Sequence, residues 1–83
     1  MDQKVGVINR GSRAMTVWLE PWGEDYTLLP KEECVVVASG EKPWFNLVFT
    51  DNNNVKVYAE DTSEAKVMRG SEVLRCGHQR GRT

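Results

Sequence analysis

The sequence predicts an all-β chain: a small antiparallel β-sandwich or barrel of six to eight short strands. Three observations predict it. Apolar and polar residues alternate at period 2 in several segments, and turn-forming residues recur between them at intervals of roughly 8 to 12 residues. The connections are also short, which favours antiparallel meanders over parallel crossovers. A sandwich is preferred to a closed barrel.

Val5, Val7 and Ile8 form a first short strand that stops in the turn chemistry of Asn9, Arg10, Gly11 and Ser12. Residues 14–20 alternate, with Met15, Val17 and Leu19 assigned to the core and Thr16, Trp18 and Glu20 to the outside. Pro21 lacks the ladder donor and Gly23 admits positive φ, so the strand ends there. Residues 26–29 make a third strand before Pro30. After a polar turn, residues 34–38 are apolar on both faces, which suits a strand covered on both sides.

Residues 44–50 alternate again, placing Phe45, Leu47 and Phe49 in the core and Trp44, Asn46, Val48 and Thr50 outside. Asp51, Asn52, Asn53 and Asn54 tolerate left-handed backbone and mark a hairpin. In the sixth strand Val55, Val57 and Ala59 face inward, and Lys56, Tyr58 and Glu60 face outward. Residues 65–69 and 72–76 flank Gly70-Ser71, the pattern of a type II′ hairpin. A helix capped by Asp61 and Glu64 is the competing reading, but Gly70 costs it about 1 kcal/mol relative to alanine.

The chain has 83 residues, 40% hydrophobic and 28% charged, a balance that excludes wholesale disorder. Residues 1–76 are read as one compact β domain, and 77–83, which lack an apolar anchor, as a mobile basic tail. A domain this small buries only about 60 to 65% of its unfolded surface, and its stability is roughly 5 kcal/mol. Oligomerisation often supplements such a core.

No apolar signal region opens the sequence and no run approaches the ~18 residues of a membrane span. The expectation is a cytoplasmic protein with Cys34 and Cys76 as free thiols. Net charge is −1, which calls for no nucleic-acid partner, but the distribution is uneven. Residues 14–64 hold ten carboxylates against three lysines, and both flanking segments are basic. Arg75, Arg80 and Arg82 are read as solubilising.

No glycine-rich phosphate loop occurs, and Cys34, Cys76 and His78 do not make a zinc set. No cofactor, metal or catalytic constellation is expected. Glu20, Glu24 and Asp25 bracket a turn with the residue types of an acid/base pair or hard-ligand cluster, set against the simpler reading of a solvated loop. The outward rings Trp18, Trp44 and Tyr58, with Trp22 and Tyr26 nearby, are the stronger candidates, because flat rings anchor interfaces and stack on ligands. The leading expectation is a noncatalytic β module acting in protein–protein interaction or self-association, first as a homodimer, through an outward aromatic face. The alternatives are a carbohydrate or small-ligand domain using tryptophan stacking, and an enzyme or enzyme subunit centred on the acidic turn.

Overall fold

A computed structural model describes residues 2–50 and 52–76. It contains β1 (Asp2–Ile8), β2 (Met15–Glu20), β3 (Glu24–Leu28), β4 (Glu33–Ser39), β5 (Trp44–Thr50), β6 (Asn54–Glu60), β7 (Glu64–Arg69) and β8 (Glu72–Val73). They form two four-stranded sheets, β1-β4-β7-β8 and β3-β2-β6-β5. The sheets make a sandwich that is not closed into a barrel. The tail expected over 77–83, with His78, lies outside the described residues.

The sheets are antiparallel-rich as expected, with one departure. β2 pairs β6 in parallel, Thr16 opposite Asn54 through Glu20 opposite Tyr58. Short loops fix the direction of strands adjacent in sequence, and β2–β3, β5–β6 and β7–β8 are indeed antiparallel. β2 and β6 are joined only through an excursion to the other sheet, and no short loop constrains their sense.

The core lies between the sheets. Val17, Leu19, Leu28, Val36, Val55, Val57 and Val67 are buried there, with Cys34 and Ala38 from β4. On the outer side of β4, Val37 sits in register between Lys4 and Lys66 and is also buried. The aliphatic stems of such lysines cover apolar surface while their charges stay wet. Cys34 and Cys76 are buried free thiols.

Turn chemistry sets the register. Gly70 has φ +60° and Ser71 has no positive φ, while Arg69 pairs Glu72, so the last hairpin is the type II′ turn expected. Thr50 pairs Asn54, which leaves a three-residue loop closed by Asn53 at φ 57°. Asn53 Nδ2 donates to Ala14 O at 2.7 Å, fastening this tip to the approach to β2.

The alternation of β5 misleads in part. Phe45 packs against the core, but Leu47 and Phe49 are exposed. Period 2 shows which face a side chain takes, not whether a second sheet lies over that face. β5 is the edge of its sheet, and the cover runs out there.

Candidate functional site

The outward rings converge. Trp18 on β2 stands in register with Lys56 on β6, and Lys56 with Val48 on β5. One step along, Glu20 aligns with Tyr58 and Tyr58 with Asn46. At the end of the face Trp44 pairs Glu60, and its Nε1 donates to Asp61 Oδ2 at 3.0 Å. Trp18, Tyr58 and Trp44 therefore share the outer face of one sheet, each on a different strand. Trp18 and Tyr58 are half-buried among their neighbours, and Trp44 is exposed.

Trp22 is exposed on the β2–β3 turn. Tyr26 is different. Its ring is buried in the core beside Val17's strand, so it does not join the outward set. A five-residue strand sorts by parity, and the turn at Gly23 sets β3 so that Tyr26 and Leu28 point inward.

The acidic residues do not converge. Glu20 Oε1 accepts the Gly23 N–H at 2.9 Å and closes the turn. Glu24 Oε1 accepts the Tyr26 hydroxyl at 3.0 Å. Glu24 and Asp25 are consecutive in an extended strand and take opposite faces, Asp25 opposite Trp18. Among the described residues no group of three or more His, Cys, Asp or Glu side chains is placed to hold a metal ion.

Two buried acids tie stability to alkaline pH. Burial, reinforced by the hydrogen bond to Glu24, holds the Tyr26 phenol above its ordinary range, and burial likewise raises the Cys34 thiol. Folding thus favours both neutral forms. Their contribution is complete below the ordinary values of about 8.5 for the thiol and about 10 for the phenol, and is lost as pH rises past them. Chemical denaturation should find the domain less stable at pH 10.5 than at pH 7.5, with Tyr26→Phe reducing the difference. Equal stability at the two values would contradict this placement of the groups.

The residues missed by sequence reasoning lie on β5: Phe49 is 72% exposed and Leu47 39%, beside Val48 at 42% and the already expected Trp44 at 48%. Both faces of this strand are open, and Trp44–Thr50 contains no charged residue and no proline. Its absence of charge was visible in the sequence, but its edge position was not. A second missed feature is an open groove of about 680 Å³ between β3 and the β7–β8 hairpin, lined in part by Tyr26, Leu29, Arg69 and Leu74. Arg69 meets Glu32 there at 3.5 Å, which joins the basic C-terminal segment to the acidic middle within one chain.

Comparison with family models, curated proteins and solved structures gives no match. No helix among the described residues is long and apolar enough to cross a membrane.

Proposed function

We propose that this chain is a noncatalytic interaction module that takes up an extended strand along β5, with the neighbouring aromatic face widening the contact. One observation carries the reading: β5 is a seven-residue edge, uncharged and with exposed apolar side chains on both faces. Sheet edges present unpaired N–H and C=O groups, and proteins that do not use them protect them with charge, proline, bulges or short strands. β5 has none of these defences. An added strand would satisfy its backbone while alternate side chains meet Phe49 and Leu47 on one face and Trp44 and Val48 on the other.

The test is titration with an extended apolar heptapeptide carrying lysines only at its ends, followed by amide chemical shifts and hydrogen exchange. Amides of Trp44–Thr50 should shift and gain protection, while those of β1 and β3, the other full-length edges, should not. Unchanged β5 amides at millimolar peptide would refute the reading.

A further inference from the structure

We propose that the strand received by β5 is β5 of a second copy, laid antiparallel about a two-fold axis that sets Leu47 opposite Leu47. The proposal rests on β5 being a strand-accepting edge and adds the partner and its register. A two-fold axis perpendicular to a sheet keeps each residue on its own face, so directly opposed residues must share parity. Leu47 is the middle residue of Trp44–Thr50, and centring there is the register that overlaps all seven.

The side chains fit that register. Phe45 falls opposite Phe49 of the second copy, and the same contact recurs on the other side of the Leu47 pair. The most exposed ring of the strand, Phe49, thereby gains an aromatic neighbour that already packs against the core. Aromatic cross-strand pairs are among the favourable ones. On the outer face Asn46 meets Val48 and Trp44 meets Thr50. A slip of two residues in either direction breaks both Phe45–Phe49 contacts. No like charges are opposed within the paired strands, because β5 has none.

The size of the contact sets its strength. With ~200 Å² per aromatic side chain, Phe49 and Trp44 leave on the order of 250 Å² open per copy. Leu47 and Val48 add to this, yet the total stays near or below the ~1,200 Å² that divides standard interfaces from weak ones. The dimer is therefore reversible and concentration-dependent.

Sedimentation of the full chain from about 5 to 500 μM, a range chosen for a weak interface, tests it. A reversible monomer–dimer equilibrium is expected, weakened roughly ten-fold or more by Phe49→Lys, a substitution at an exposed position that leaves the fold intact. Register is read by mild oxidation with copper phenanthroline. Leu47→Cys places two thiols within disulfide reach, at a Cα separation of about 4.5 to 5.5 Å, and should yield a linked dimer. Thr50→Cys places them about 20 Å apart and should not. A monomer at every concentration overturns the second-copy proposal, as does a dimer indifferent to Phe49→Lys or one linked through Thr50→Cys and not Leu47→Cys. If the chain is monomeric while peptide still protects β5, the strand-accepting reading stands without this partner. If peptide also leaves β5 unchanged, both fall.

Discussion

Leu19→Ala should lower the unfolding free energy by about 3 to 5 kcal/mol, most or all of the roughly 5 kcal/mol available to a domain of this size. Leu19 is fully buried on β2, between Glu24 of β3 and Val57 of β6 in register. Truncation removes the transfer energy of the lost carbons and leaves a cavity that two flanking strands cannot collapse into without breaking their ladders. For a chain of this length the expected drop in Tm is roughly 15 to 30 °C. Leu47→Ala is the matched control. The same chemistry on the edge of β5 should cost about 1 to 2 kcal/mol, because Leu47 stays 39% exposed and its loss opens no enclosed cavity. Urea or thermal unfolding of the two variants side by side, at concentrations low enough to keep the proposed dimer dissociated, makes the measurement, and similar losses would mean that Leu47 is packed within its own chain as Leu19 is.

The contrast between these two leucines shows what was legible in the sequence. Period 2 correctly places Val17, Leu19, Val55 and Val57 inside and Trp18, Trp44 and Tyr58 on the outer side of their strands. The same rule assigns Leu47 and Phe49 to a core that does not extend over them. Alternation is local, whereas burial depends on which strand ends a sheet, and that follows from pairings distant in sequence. The parallel β2–β6 ladder escaped notice for the same reason. By contrast the Gly70 turn is a local device, and it was readable.

The site divides along the same line. That three rings face outward follows from each strand separately, but that they share one sheet face depends on β2, β6 and β5 lying side by side. The acidic turn looked like a cluster because Glu20, Glu24 and Asp25 are close in sequence. Strand geometry disperses it, sending Glu24 and Asp25 to opposite faces and committing Glu20 to the Gly23 N–H.

Asn9 is the other position where a single substitution should be severe, and turn chemistry alone gave no sign of it. It is 2% exposed, and every polar group it owns is engaged. Its Nδ2 donates to Leu28 O and to Arg13 O, each at 2.8 Å, and its Oδ1 accepts the Gly11 N–H at 2.9 Å. Its backbone N–H donates to Glu32 O at 2.9 Å and its carbonyl accepts the Lys31 N–H at 2.8 Å. This one residue thus fastens the end of β1 to the loop before β2 and the end of β3 through its side chain, and to the turn into β4 through its backbone. Asn9→Ala keeps the backbone bonds but strips partners from three main-chain groups, at about 1 to 3 kcal/mol for each one left dry. Water reaches part of this loop, so the expected total is about 2 to 4 kcal/mol. Asn9→Asp is the sharper probe. It preserves shape and the bond from Gly11, but turns a carboxylate oxygen toward two carbonyl oxygens that previously received an N–H. The folded state then favours the protonated acid, raising its pKa above the ordinary ~3.9. Such a group stabilises below that ordinary value and loses its contribution as pH rises through the raised one. Measured against the parent chain at each pH, the deficit of Asn9→Asp should therefore be largest near pH 7 and shrink toward pH 4. A deficit that is constant across this range would mean that the two carbonyls do not face the side chain.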